Sequence, residues 1–193
     1  MTYPQSSNEV VEIDPAVTRV AYEELGLPRE TSVKTYNQDA RLFLTQRDGN
    51  GRYDIVIGDV FNDLSTPFHL TTLEFDRLVK ANMERGGLYL VNIIDDYYQG
   101  RYMPSFTYTL QRAFDYVYLF GAPVGSTDES EYAGKSTFVI AASDQPIDFS
   151  STYSLPLTGE RLTEFLAKKG PLLLTDDYAP TDILVAPLFK FLH

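Results

Sequence analysis

Acidic side chains follow three successive strands predicted from the sequence, at the point where each strand ends. Short apolar runs, rich in β-branched residues, predict buried strands at residues 10–13, 32–36 and 53–58. Glu12 and Asp14 end the first strand, Asp39 follows the second and Asp59 ends the third. Carboxylates at such positions can accept hydrogen bonds from ribose hydroxyls and from the exocyclic amine of a purine. Polar residues end most strands, but three acids at matching positions favour a nucleoside site.

The elements around these acids alternate between strand and helix. Capping residues and apolar stripes predict helices at residues 15–25, 40–46, 72–85, 104–114 and 158–168, and further strands at 88–94, 116–120 and 137–142. Alternation of this kind indicates an α/β fold, a doubly wound and mostly parallel sheet with helices on both faces. The last two strands are not separated by a long helix, so they predict a C-terminal antiparallel hairpin. Ligands of such sheets bind beyond the carboxyl ends of the strands.

Composition narrows the classes of partner. The chain has 193 residues, which fits a single domain over 1–193, and a net charge of −11. This acidity disfavours nucleic acid and suits a cationic substrate. With no cysteine and only two histidines, a metal site is not expected. No apolar run reaches the roughly 20 residues that cross a bilayer, and no signal peptide is recognised, so we expect no membrane partner and a cytoplasmic location.

Three further groups of residues could do chemistry. Residues 95–98, Asp-Asp-Tyr-Tyr, follow a predicted strand and could line an amine pocket, although surface solvation explains them equally well. His69 could act as a general base, but a structural loop role is favoured. Asp176 and Asp177 are adjacent carboxylates on a turn, and we expect them to form a cap and not a metal site.

Five segments in order resemble the spermidine synthase (polyamine aminopropyltransferase) family: VVEIDPAV, NQDAR, YDIVIGDVF, TPFHLTT and GGLYLVNI. The resemblance covers roughly residues 10–92 and returns at 172–180, where LLLTDDYAP is similar to a branch often fused to membrane transporter-like segments. It implies a Rossmann-like S-adenosylmethionine-dependent transferase fold. It also implies transfer of an aminopropyl group from decarboxylated S-adenosylmethionine to a diamine, with no further cofactor and no metal.

The resemblance also implies roles for individual residues. Glu12 matches the acid that holds the ribose hydroxyls, and Asp39 and Ala40 match the pair that contacts adenine. Asp59 matches the aspartate that binds the attacking amine and receives its proton. The family's second acid lies three residues later, where this chain has Asn62. A one-residue insertion, which also displaces Pro67, would give Asp63 the amine-binding role together with Pro67.

The chain departs from the family at its beginning. Members carry a small N-terminal β domain, then a strand and a glycine-rich turn ahead of the segment that matches VVEID. Here nine residues precede Val10 and no GxGxxG occurs. We therefore expect a form truncated at the N-terminus, possible loss of activity, and a homodimer whose partner covers strand edges left unpaired. A local segment at residues 172–175 could provide that cover instead, or the strands predicted at 10–13 and 53–58 could pair directly with each other. Two alternatives stay open: an S-adenosylmethionine-dependent methyltransferase, and a non-catalytic binding or assembly module.

Overall fold

The computed structural model describes residues 6–47, 52–60, 66–122, 134–152 and 154–191. The chain divides into two compact units, Met1–Asp48 and Gly49–His193, and each is described by itself. The expected single domain over 1–193 stays a prediction.

The first unit is a strand–helix–strand–helix segment. Its elements are β1 (Asn8–Val11), α1 (Pro15–Glu23), β2 (Val33–Tyr36) and α2 (Ala40–Arg47). β1 and β2 are parallel, with Asn8 opposite Val33 and Val11 opposite Tyr36. Asp14 caps α1 as its position predicts, because its carboxylate accepts the Ala16 N–H at 2.7 Å. The carboxyl ends of the two strands therefore lie at one edge.

The two helices of this unit differ in how they are held. The apolar face of α1 was expected to be buried, but it is exposed. The side chains of Val17 and Val20 are 52% and 42% exposed, and no residue of α1 is buried. Arg47, the last residue of α2, forms an ion pair with Glu9 of β1 and lies over the ring of Phe43 at 4.7 Å. The Arg47 contacts therefore tie α2 to the strands.

The second unit contains a four-stranded sheet flanked by helices. Its elements are β3 (Tyr53–Gly58), α3 (Leu73–Ala81), β4 (Met83–Asp96), α4 (Tyr102–Leu110), β5 (Tyr116–Phe120), β6 (Lys135–Ser143), α5 (Gly159–Lys169) and α6 (Thr181–Val185), with 3-10 turns at Phe68–Leu70 and Ala186–Phe191. The strand order is β3-β4-β6-β5. β3 is parallel to β4, and β6 is antiparallel to both β4 and β5. The mostly parallel α/β sheet and its C-terminal hairpin are confirmed.

The core of this unit lies between the sheet and the helices that follow its strands. Ile93, Phe106, Leu119, Phe138 and Leu162 have no exposed surface. Alternate residues of β4 face this core, because strand side chains alternate between the two faces of a sheet. In the described part of the chain, β3 pairs only with β4 and β1 only with β2, so β3 is an edge strand.

Three local predictions were wrong. The helix predicted to reach Arg85 ends at Ala81, because Asn82 caps it and Met83 already pairs with Tyr53. Thr158, the residue expected to cap the helix predicted at 158–168, makes no capping bond through its side chain, since its hydroxyl donates to the Val117 carbonyl at 3.2 Å. Residues 172–175 join neither sheet, because the Leu174 N–H donates to Thr109 of α4 and its carbonyl accepts from Leu73 of α3.

Candidate functional site

Glu12 lies directly after β1, at the carboxyl edge of the first unit. Its Oε1 accepts the Asp14 N–H at 2.8 Å, and its carbonyl accepts from the Asn37 side chain at 3.1 Å. Glu12 is half-buried and Oε2 has no partner among the described residues. The carboxylate is therefore oriented by one oxygen and keeps the other for a donor such as a ribose hydroxyl.

Asp39 follows β2 and stands at the start of α2. Its Oδ1 accepts the Leu42 N–H at 2.9 Å, and its carbonyl accepts the Phe43 N–H. These are the bonds of a helix N-cap, and Ala40 is the first residue of the helix. Asp39 and Ala40 are both half-buried, and together they begin α2 whether or not they also contact a base.

Asp59 lies directly after β3, in the second unit, and its side chain is exposed. The Asn92 side chain of β4 donates to Asp59 Oδ1 at 3.0 Å. Sequence reasoning missed Asn92, although a polar residue within the apolar run LYLVNI was a visible signal. The bond fixes one carboxylate oxygen and leaves Oδ2 without a partner among the described residues, so Asp59 can accept a proton.

Of the two residues expected to bind the amine, Asp63 and Pro67, the structure describes only Pro67. Asp63 lies outside the described residues. Pro67 precedes the turn Phe68–Leu70, and its carbonyl accepts the Leu70 N–H. His69 packs against the Phe68 ring with 5.7 Å between centroids, and a catalytic role for it stays untested.

The acidic pair at the end of β4 is buried, so the surface-solvation interpretation was wrong. Asp95 is 0% exposed and Asp96 3%. The two Asp95 oxygens accept the N–H groups of Asp96 and Met103, and Asp96 accepts those of Tyr98, Gln99 and Gly134. Burial raises the pKa of Asp95 to about 6, against the opposing effect of these hydrogen bonds. Both carboxylates hold the turn into α4.

The same turn is also held by the last residue of α5. Lys169 Nζ donates to the carbonyls of Tyr97 and Tyr98, each at 2.5 Å, and lies over the rings of Tyr97 and Phe165. Burial lowers the pKa of Lys169. These contacts assign residues 95–98 a structural role.

A buried polar cluster that sequence reasoning missed lies between α3, β4 and α4. Asp76 and Tyr102 have no exposed surface, Tyr89 is 2% exposed and Thr66 6%. Within the described part of the chain, neither Asp76 oxygen has a hydrogen-bond partner, and the same is true of the Tyr102 and Thr66 hydroxyls. A signal was present, because Asp76 falls on the apolar face of α3, three residues before Val79.

The protonation of this cluster follows from its burial. Burial raises the pKa of Asp76 well above its usual value, and the charge of Glu74 raises it further. Burial and the nearby Asp76 also raise the pKa of Tyr89. Burial raises the pKa of Tyr102 too, and the charge of Asp76 raises it further.

The remaining candidate features lie elsewhere. Asp176 accepts the Thr72 hydroxyl at 2.6 Å and its N–H donates to Glu74 at 3.0 Å. No three His, Asp or Glu side chains within the described ranges converge as metal ligands. None of the described helices is long and apolar enough to cross a membrane. An open groove lined in part by Arg112, Tyr116 and Thr158 lies where β5 begins, at the sheet edge opposite to Asp59.

Comparisons in sequence relate the chain to aminopropyltransferases. It is 32% identical over 91 residues to a probable polyamine aminopropyl transferase of Bifidobacterium longum, and 31% identical over 91 residues to a polyamine aminopropyltransferase of Vibrio vulnificus. Each match covers 47% of this chain, but only 20% and 30% of the respective relative. No protein-family model matches the chain.

Several solved structures share the fold of the chain. A probable spermidine synthase from Corynebacterium glutamicum matches with a TM-score of 0.65 and 24% identity, over 98% of this chain and 62% of that one. Human methyltransferase-like protein 13, solved with SAH, matches with a TM-score of 0.59 and 20% identity, over 94% and 80%. A spermidine synthase with the transition-state analogue AdoDATO matches at 0.53 and 15%, over 75% and 47%. Over 47% of its length the chain is therefore similar in sequence to polyamine aminopropyltransferases, of which it spans at most 30%, and it shares the fold of spermidine synthases and of a related methyltransferase.

Proposed function

We propose that the chain acts in aminopropyl transfer from decarboxylated S-adenosylmethionine to a diamine. The observation that carries the proposal is Asp59, an exposed carboxylate at the end of β3 with one oxygen held by Asn92. The sequence relatives, which are named as polyamine aminopropyltransferases, support it. They are much longer than the matched segment, so the activity of the whole protein is part of the proposal.

The chemistry needs a proton acceptor at this place. A polyamine nitrogen has a pKa near that of lysine, about 10, so it arrives protonated and cannot attack. Asp59 accepts a proton from the ammonium, and the freed lone pair attacks the carbon next to the sulfonium sulfur. The new C–N bond forms as the C–S bond breaks. Sulfur leaves as a neutral thioether, methylthioadenosine, and the proton passes from Asp59 to solvent.

The nucleoside part of the proposal rests on the first unit. Glu12 would accept from the ribose hydroxyls, and Asp39 with Ala40 would contact the adenine edge. Asp63 and Pro67 would bind the acceptor amine. Support comes from the family resemblance of these positions and from the position of Glu12 and Asp39 after two parallel strands.

Replacement of Asp59 by Asn tests the reaction. Asn keeps the size of the side chain and can still meet the Asn92 side chain, but it cannot take a proton. We expect kcat for methylthioadenosine formation from decarboxylated S-adenosylmethionine and 1,4-diaminobutane to fall about 10²- to 10⁴-fold. Binding of methylthioadenosine should not change. Asp54→Asn, an exposed acid on the same strand, is the matched control.

Three other results of these assays would change the proposal. An Asp59→Asn variant with unchanged kcat removes Asp59 as the proton acceptor. Transfer of a methyl group from S-adenosylmethionine itself would establish the second candidate, a methyltransferase, which the likeness to methyltransferase-like protein 13 favours. Nucleoside binding without either transfer would identify a non-catalytic binding module.

We further propose that the chain forms a homodimer. Support comes from β3, an edge strand in the described part of the chain, on which Ile55 and Ile57 are 56% and 68% exposed. An exposed apolar edge strand tends to pair with another chain.

A further inference from the structure

Asn92 is a polar side chain within an otherwise apolar stretch of the inner strand β4. Its neighbours on the strand, from Leu88 to Ile94, are all aliphatic or aromatic. The Asn92 Oδ1 atom is buried, and among the described residues it has no hydrogen-bond partner. A buried carbonyl oxygen without a donor destabilises the folded state, and asparagine is disfavoured in strands. Asn92 therefore does not serve the stability of the sheet, and its place there needs a functional reason.

The register of the sheet brings Asn92 beside Asp59. β3 and β4 are parallel, with Gly58 opposite Val91, so the next step along both strands places Asp59 alongside Asn92. Residues opposite each other on neighbouring strands direct their side chains to the same face of a sheet. The Asn92 side-chain N–H donates to Asp59 Oδ1 at 3.0 Å, in agreement with that register. The contact between the two residues is thus set by the backbone as well as by the side chains.

The two residues differ in how firmly their strands are held. β4 lies between β3 and β6, where Asn92 is opposite Val139, so backbone hydrogen bonds hold it on both sides. Asp59 follows the end of β3, which among the described strands pairs with β4 alone. The side chain of an exposed aspartate has two torsions about which it can rotate. Asn92 restricts this rotation, because its amide is fixed on the better-held strand and binds one of the two carboxylate oxygens.

We propose that Asn92 is a positioning residue for the transfer reaction. Through its bond to Oδ1 it holds the Asp59 carboxylate in the orientation in which Oδ2 meets the attacking amine. Proton transfer needs the accepting oxygen within roughly 2.6–3.2 Å of the nitrogen. A misplacement of about 1 Å can lower a rate about 100-fold. This role rests on the proposed function, in which Asp59 takes the proton.

A positioning role predicts opposite effects of one substitution on activity and on stability. Asn92→Leu nearly keeps the size of the side chain, but it removes both the amide donor to Asp59 and the unpaired buried oxygen. We expect kcat for methylthioadenosine formation from decarboxylated S-adenosylmethionine and 1,4-diaminobutane to fall about 10- to 100-fold. The KM for the diamine and the Kd for methylthioadenosine should change less than about threefold. The melting temperature should stay the same or rise, whereas loss of a structural residue would lower it.

Three further variants complete the test. Thr137→Val removes an exposed polar side chain from the same face of the sheet, since Thr137 is opposite Ile94, and it should leave kcat unchanged. Asn92→Val places a strand-favouring apolar residue at the same position and repeats the measurement should Asn92→Leu fail to fold. Asn92→Gln keeps an amide donor on a longer side chain, so its kcat should lie between those of wild type and Asn92→Leu.

A double-mutant cycle shows whether Asn92 acts through Asp59. With Asp59→Asn no proton acceptor is left to orient, so adding Asn92→Leu should lower kcat by less than about twofold. Full and independent losses from the two substitutions would overturn the inference, as would a lower melting temperature of Asn92→Leu. Wild-type kcat in both apolar Asn92 variants would overturn it while leaving the proposed function intact. Absence of aminopropyl transfer by the wild-type chain would remove the proposed function and this role together.

Discussion

At the scale of single residues, Asp39 has two possible duties that a well-chosen substitution can separate. As an N-cap of α2 it accepts the Leu42 N–H, and removal of such a cap costs about 1 kcal/mol of stability. Asp39→Ser keeps a capping oxygen but removes the carboxylate. We expect Asp39→Ser and Glu12→Ala each to weaken methylthioadenosine binding by roughly 1.5–3 kcal/mol, about 10- to 150-fold in Kd.

Titration calorimetry measures this loss, and the melting temperature of Asp39→Ser reports whether the helix survives. Glu30→Ala, an exposed acid in the same unit, is the control for lost charge. Unchanged nucleoside affinity in both variants would contradict the assignment of the nucleoside site.

Asp95 predicts a pH dependence of stability. Its pKa of about 6 in the folded chain lies above the value near 3.9 expected when unfolded, so the folded state binds a proton more tightly. The stability associated with protonated Asp95 is therefore complete below about pH 4 and is lost as pH rises through 6. The stability difference between wild type and Asp95→Asn should fall by on the order of 1 kcal/mol from pH 5 to pH 7. Urea unfolding at the two pH values measures it, and a difference independent of pH would contradict the prediction.

The sequence was enough to predict where some polar residues lie, and it misjudged the surroundings of others for a physical reason. Glu12, Asp39 and Asp59 could be found because a strand end is a local pattern. The contact of Asn92 and the burial of Asp76 could not be predicted, because both depend on residues of other elements. In the sequence Asp95 and Asp96 look like ordinary surface acids. The structure shows them buried in a turn whose backbone N–H groups donate to their carboxylate oxygens.

At the scale of elements, the turn between β4 and α4 depends on Lys169 at the end of α5. Its ammonium group binds two carbonyls of the turn and two aromatic faces. Lys169→Met keeps the aliphatic length but leaves the carbonyls without this donor. We expect a loss of roughly 1–3 kcal/mol in the free energy of unfolding. Lys168→Met, next to it and exposed, should change stability by less than about 0.5 kcal/mol. If the two substitutions lower the free energy of unfolding equally in chemical denaturation, the contacts of Lys169 with the turn do not contribute to stability.

Element types were predicted better than their ends. The alternating pattern of strand and helix, and the hairpin of β5 and β6, follow from periodicity and are confirmed. The end of α3 was not, because Asn82 ends the helix through contacts with the preceding turn while the following residues look equally helical. Helix ends are decided by side-chain caps and strand pairing, which periodicity does not contain.

At the scale of the whole molecule, several large apolar side chains are exposed in each of the two units. Ile13, Val17 and Leu25 in the first unit are 68%, 52% and 77% exposed. In the second unit, Ile55 and Ile57 of the edge strand are similarly open. The composition includes enough apolar residues for a core, but it does not show which of them are buried in the folded chain. Contiguous exposed apolar side chains mark surfaces that bind another chain.

The homodimer prediction can be tested at this edge. Among the described strands, β3 pairs with β4 alone, so one of its edges is without a strand partner there, and the Ile57 side chain of β3 is 68% exposed. If a second copy covers this strand, light scattering at micromolar concentration should give the mass of two chains. Ile57→Lys should then shift the mass toward one chain, because a lysine charge cannot be buried in the interface without a partner. Ile183→Lys, on α6 with its side chain 73% exposed, should leave the dimer intact. A monodisperse, thermally stable wild-type monomer would defeat the dimer. A dimer insensitive to Ile57→Lys would place the contact elsewhere, with the exposed stripe of α1 as the next surface to substitute, because Val17 and Val20 lie on it without cover.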